Sequence, residues 1–169
     1  MRFAIPLIAA VCLMISPAFA RDATPYYGPK QGLMGEGYKH SVQKDGSWRI
    51  VTEYHTRDPM VALDVALYRA AELARDEGHR YVQILSGDAS SRYSVASGFV
   101  FAQPADKPDA PTHCRDKRCY TADVALVLDL LSGPSGNQPG VAKPTSVDKF
   151  GRQVTEMGYG IGAVAWTSR

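Results

Sequence analysis

Neither sign of charge dominates this sequence: 19 Lys and Arg stand against 17 Asp and Glu, for a formal net charge of +2. So even a balance leaves no overall field to draw the chain onto nucleic acid or an anionic membrane. Cysteine is scarce, 3 in 169 residues, which excludes a disulfide-rich scaffold. Past Ile15 no apolar run approaches the roughly 20 residues that a bilayer span needs. A Gly-x-Ser-x-Gly elbow is missing, and with it the simplest argument for a serine hydrolase. What is present is ordinary: 45% hydrophobic and 9% aromatic residues, the composition of a globular chain rather than a disordered or collagen-like one.

The first 20 residues read as a secretory signal. Arg2 precedes the apolar run Phe3 to Ile15, Pro17 follows, and Ala18-Phe19-Ala20 offers small residues for cleavage after Ala20. Cys12 lies inside the apolar run but follows Val11 rather than a small residue, so a lipid-anchored form is the lesser alternative. The expectation is an exported chain, periplasmic or secreted, with no stable membrane insertion after cleavage. A mature chain of about 150 residues supports one core.

Cleavage would leave Cys114 and Cys119 in an oxidising compartment, where they are expected to pair. A loop so short is a local staple of about 2 kcal/mol. The rivals are a metal site that adds His113 to the two thiolates, and a redox pair. Metal sites use tighter Cys spacing with a fourth ligand, and a redox pair would be Cys-x-x-Cys.

Residues 21–36, rich in Pro, Gly and Tyr, read as an extended N-terminal arm, and residues 37–169 as a single α+β domain. Tyr38 to Val42 and Trp48 to Tyr54 alternate around Lys44-Asp45-Gly46 as a hairpin. A three-residue loop with Gly46 left-handed sets Val42 opposite Trp48, His40 opposite Ile50 and Tyr38 opposite Thr52. That register gathers Tyr38, Val42, Trp48, Ile50 and Tyr54 on one face. Asp58-Pro59 opens a helix that Gly78 closes, with Met60, Leu63, Leu67, Ala70 and Ala74 along one side. Asp64, Tyr68, Glu72 and Arg75 are expected on the opposite, solvated side, with Arg69 and Glu72 as an exposed flank pair.

Arg80 to Leu85 reads as the next strand, so that strand, helix and strand form a crossover expected to be right-handed if the two strands lie parallel. Residues 86–119 then read as a long irregular excursion, broken only by Phe99-Val100-Phe101. The alternation in Tyr120 to Leu130 favours a strand over a helix capped by Thr121. A linker from Ser132 to Thr145 leads to a short helix over Val147 to Met157, capped by Ser146. The glycine-rich tail 158–169 carries Ala163 to Trp166 as an edge strand. The sum is a small mixed sheet of about four strands in the order β-β-α-β-(long excursion)-β-α, with helices on one face.

Gly37-Tyr38, Trp48-Arg49-Ile50, the helical run Tyr68-Arg69-Ala70-Ala71-Glu72-Leu73, Gly78 and Tyr81-Val82-Gln83-Ile84 resemble a family of small exported bacterial envelope proteins, many of them lipoproteins. Tyr120-Thr121-Ala122, Gly133-Pro134 and Lys143-Pro144 through Phe150-Gly151-Arg152-Gln153-Val154 extend the resemblance to about two thirds of the mature chain. Its most specific part is Arg-Ala-Ala-Glu-Leu. The resemblance implies a cell-envelope location and brings no activity, catalytic residue or cofactor. This chain departs from the lipoprotein members in having no cysteine at the cleavage position.

Chemistry-bearing patterns are few. Ser41-Val42-Gln43-Lys44 matches Ser-x-x-Lys, but on a strand rather than the helix that would bring the lysine beside the serine. Gly158-Tyr159-Gly160-Ile161-Gly162 follows a predicted helix instead of a strand, which is the wrong context for a phosphate loop. His40, His55, His79 and His113 share no metal-ligand spacing, and Arg115, Lys117 and Arg118 around Asp116 read as a solvated loop. No catalytic, metal or cofactor residues are assigned. The expected function is a non-catalytic envelope domain that binds a partner protein or a cell-wall or other envelope component. The alternative is a metal protein or enzyme centred on residues 86–119 and Cys114/Cys119.

Overall fold

The computed structural model describes residues 26–33, 35–116, 119–132, 146–147, 153–154 and 160–167. The N-terminal residues 1–25, where a signal is expected, most of the linker after Ser132, and Lys117 and Arg118 lie outside the described residues.

The hairpin forms in the expected register. Strand β1 (Gly37–Val42) pairs antiparallel with β2 (Trp48–Tyr54), with Val42 opposite Trp48, His40 opposite Ile50 and Tyr38 opposite Thr52. Gln43 and Ser47 close the loop through an N–H to carbonyl bond of 2.7 Å, and Gly46 takes φ +80°. Asp45 fixes the turn by accepting from the Ser47 backbone N–H at 3.0 Å and from its hydroxyl at 2.6 Å. Trp48, Ile50 and Tyr54 are buried as expected, but Val42 is 69% exposed because it lies at the strand end next to the turn.

Helix α1 (Pro59–Asp76) also has the expected ends. Asp58 accepts from the Met60 N–H, and beyond the C-cap Glu77 the His79 N–H bonds the Ala74 carbonyl while the Gly78 N–H bonds that of Arg75. Those two bonds around Gly78, at φ +84°, make a Schellman stop. Its faces require correction. Met60, Leu63, Leu67, Ala70 and Ala74 are buried, but so are Asp64, at 0% exposure, and Tyr68. α1 is a central helix covered on more than one side, so no broad solvated face exists; buried Ala62, Val65, Ala66 and Ala71 fill the positions between.

The four-strand mixed sheet is overturned. Six strands form one sheet, in the order β1, β2, β4 (Val95–Ala105), β3 (Tyr81–Arg92), β5 (Tyr120–Asp123) and β8 (Ala163–Trp166), and every neighbouring pair is antiparallel. Much of the supposed excursion is a hairpin of β3 (Tyr81–Arg92) and β4 (Val95–Ala105). β4 inserts between β2 and β3, so β2 and β3 run parallel without touching. The strand expected over Arg80 to Leu85 is the first half of β3, and a bulge at Leu85 hides its continuation: Val82 and Ile84 face inward before it, Gly87 and Ala89 after it, and the alternation changes phase.

β5 (Tyr120–Asp123) is only four residues long. Helix α2 (Val124–Leu131) follows at once, capped by Asp123, whose carboxylate accepts from Leu126 N–H at 3.2 Å. The continuous apolar run there satisfied both periods, and the cap decided for helix. The helix expected over 147–157 is also corrected where described, since β6 (Ser146–Val147) and β7 (Gln153–Val154) pair antiparallel. β8 (Ala163–Trp166) forms the expected edge strand, next to β5. The class remains α+β, with strand predominating.

α1 packs across β2, β4 and β3 and also meets α2. The core joins Trp48, Ile50, Leu63, Leu67, Val82, Ile84, Val100 and Tyr120 with Val127 and Leu131 of α2. At the far tip of the β3–β4 hairpin, Tyr93 and Ser94 adopt φ 51° and 65°, a turn suited to Asn-Gly. Each non-glycine residue there costs about 1–2 kcal/mol. Tyr93→Asn combined with Ser94→Gly is therefore expected to raise stability by about 1–2 kcal/mol in urea melts. Tyr93 is 87% exposed, so no core contact is lost in the exchange.

Candidate functional site

Two groups of polar residues are built by this fold, and they lie on opposite faces of the hairpin. The first is on the helix side. Tyr27 of the arm stands edge-on to Tyr68, ring centroids 5.2 Å apart, and 5.3 Å from Tyr38. Its hydroxyl donates to the Glu72 carboxylate, which also accepts from Arg69 at 2.9 Å. The Arg69 guanidinium lies 4.9 Å over the Tyr38 ring. Arg69 and Glu72 are only 17% and 15% exposed, so the pair is a half-sealed structural contact rather than a solvated flank.

The Tyr68 to Leu73 motif thereby gains a role: Ala70 and Ala71 are buried, Leu73 packs on the core, and Tyr68, Arg69 and Glu72 latch the arm onto α1. Burial first, then the Glu72 carboxylate, pushes the Tyr27 hydroxyl far above its ordinary 10.0. As pH rises through about 10 the unfolded chain releases this proton while the folded chain retains it, so the contribution to stability falls from there upward. Tyr27→Phe is expected to cost about 1.5 kcal/mol at neutral pH, as for a lost bond to a charged group. Its stability should also decline less steeply above pH 10 than that of the parent, a comparison that urea melts across pH provide.

The second group is on the opposite face. Alternation turns Lys39 and Ser41 of β1, and Arg49, Val51 and Glu53 of β2, away from α1. With Lys30 of the arm they line an open groove of about 400 Å³. The arm is fixed there by Lys30 N–H to Tyr38 carbonyl and Tyr38 N–H to Gly28 carbonyl bonds of 2.8 and 2.9 Å. The Lys30 ammonium pairs with Glu53. Lys39 and Arg49 have no carboxylate partner among the described residues. Beside Arg49 and Val51 stand Phe101 and Phe99 of β4, their directly opposite neighbours.

Arg115 bounds this face. Its guanidinium lies 4.0 Å over Phe101, donates to Asp45 at 2.7 Å and reaches Ser47 at 3.2 Å. Ser47 first, then Arg115, hold the Asp45 carboxyl below the usual carboxylate range. Arg115 is thus a clamp between the 106–116 segment and the hairpin turn, not part of a free basic loop.

Cys114 and Cys119 form the expected disulfide, with Cα atoms 5.6 Å apart. Cys119 Sγ lies 2.8 Å from Thr167 Oγ1. Among the described residues no three His, Cys, Asp or Glu side chains gather as a metal site. The His79 ring bonds Asp106 at 2.7 Å, and the His55 backbone N–H donates to the Glu36 carboxylate at 2.7 Å. His40 lies beside Tyr38, where burial and then Arg69 hold its pKa below 6.5.

The groove escaped the sequence reading although the register that creates it was legible. Lys39, Ser41 and Arg49 are what a solvated strand face looks like, and only the arm's Lys30, brought in against Glu53, closes one side of it. No protein-family model, curated protein or solved structure matches the chain.

Proposed function

We propose that the mature chain is a non-catalytic binding domain of the cell envelope, exported by its signal, cleaved after Ala20 and without lipid. It belongs, on this reading, with the small exported envelope proteins whose Arg-Ala-Ala-Glu-Leu helix it resembles. Its partner is an anionic envelope component. The observation that carries the reading is the open groove on the outer face of β1 and β2, where Lys39 and Arg49 have no carboxylate partner among the described residues. Such a face recruits negative charge, and its effect falls with added salt.

The test uses the full chain expressed with its own leader. Mass spectrometry of the envelope fraction is expected to find a chain beginning at Arg21 with no acyl group. Washed envelopes should retain the parent about tenfold better than a Lys39→Glu/Arg49→Glu variant of unchanged thermal stability. Cytoplasmic retention, an acylated Cys12, or equal retention of the variant would contradict the proposal.

A further inference from the structure

We infer that the groove recognises a phosphate monoester, an assignment that rests on the binding-domain reading above and gives it a ligand chemistry. The charge count comes first. Among the described residues Lys30, Lys39 and Arg49 are the Lys and Arg side chains lining the groove, and the Lys30 charge is met by Glu53, which leaves those of Lys39 and Arg49. A carboxylate or phosphodiester carries one negative charge, whereas a phosphate monoester carries about 1.5 to 2 at neutral pH and three strong acceptor oxygens. The dianion matches the two remaining cations.

Geometry adds a third donor. Ser41 is directly opposite Arg49, and Lys39 is directly opposite Val51, so Lys39 and Arg49 lie diagonally and Ser41 is a same-face neighbour of both. Diagonal neighbours on one sheet face have Cβ atoms about 7–8 Å apart, a separation that long cationic side chains close onto one tetrahedral group. The Ser41 hydroxyl accepts from the Gln43 side-chain amide at 3.0 Å, which leaves its own proton to donate. Arg49 supplies a planar fork and Lys39 a point charge, the pairing of donors that phosphate oxygens accept well. Next to them Val51 and the half-buried Phe99 offer an apolar shelf for the carbon portion of the ester.

Free glycerol phosphate and vesicles containing phosphatidic acid carry the same monoester and separate a soluble ligand from a lipid one. Glycerol phosphate added to the isotope-labelled mature chain is expected to shift the amide resonances of residues 39–41 and 49–53 saturably. Acetate and dimethyl phosphate at equal ionic strength should bind about tenfold more weakly or worse. Arg49→Gln and Lys39→Gln should each weaken glycerol phosphate about tenfold, and Lys107→Gln, outside the groove, should not. Binding to phosphatidic acid vesicles that free glycerol phosphate cannot displace assigns a lipid source; binding of the free ester without vesicle binding assigns a soluble one.

Equal binding of acetate, absence of saturable shifts, or an Arg49→Gln variant that binds glycerol phosphate like the parent would overturn the assignment. If envelope retention still depends on Lys39 and Arg49 in that case, the binding-domain reading stands and only the phosphate chemistry fails. If retention is also indifferent to both, the two readings fail together.

Discussion

Gly98→Val is expected to destabilise the protein by about 3 kcal/mol or more, the upper end of overpacking costs. Gly98 lies on β4 beneath the first turns of α1. A side chain built there would begin 2.8 Å from the Ala62 carbonyl carbon and 2.9 Å from the Leu63 nitrogen. These are backbone atoms of a helix, so no rotamer change relieves the collision. Thr52 holds the helix at this height: its hydroxyl donates to the Ala62 carbonyl at 2.6 Å and lies 3.3 Å from that of Gly98. The cost includes stretching that buried hydrogen bond. Ser97→Val, the adjacent position facing away from α1, should stay within about 0.5 kcal/mol. Urea melts of the two variants make the comparison, and similar losses would mean that α1 does not rest on Gly98.

Leu67→Ala should cost about 2–5 kcal/mol, the range for truncating a buried leucine. Leu67 is 3% exposed and belongs to the core cluster that joins α1, the sheet and α2. Leu126→Ala provides the contrast, because Leu126 is 42% exposed on α2 and its loss should fall within about 0.5 kcal/mol. Equal losses in urea would contradict the assigned core.

The elements that were legible carry local chemical signals. Asp45-Gly46 fixed the hairpin loop and so its register, and Asp58-Pro59 and Gly78 fixed both ends of α1. What was not legible depends on contacts distant in sequence. The second half of β3 and most of β4 read as irregular because their inward residues under the helix include Gly87, Ala89, Ala96 and Gly98 in place of large β-branched side chains. That choice follows from the close approach of α1, and the phase change at Leu85 conceals what alternation remains. Tyr68 and Asp64 were expected to face solvent because helical spacing alone assumes a single covered face. The arm covers part of the other side of α1 through Tyr27. At the groove, Lys39 and Arg49 were visible, but Lys30 reaches them only because the arm adds to the edge of β1 at Tyr38.

On the proposed function, partner binding occurs on the outer face of β1 and β2. Photo-crosslinking in living cells tests it most directly, with the reactive residue placed in separate strains at Val51 in the groove, at Tyr93 on the hairpin tip and at Leu126 on α2. A discrete adduct, identified by its mass, is expected from the Val51 position and none from the other two. Adducts from Tyr93 or Leu126 with none from Val51 would contradict it.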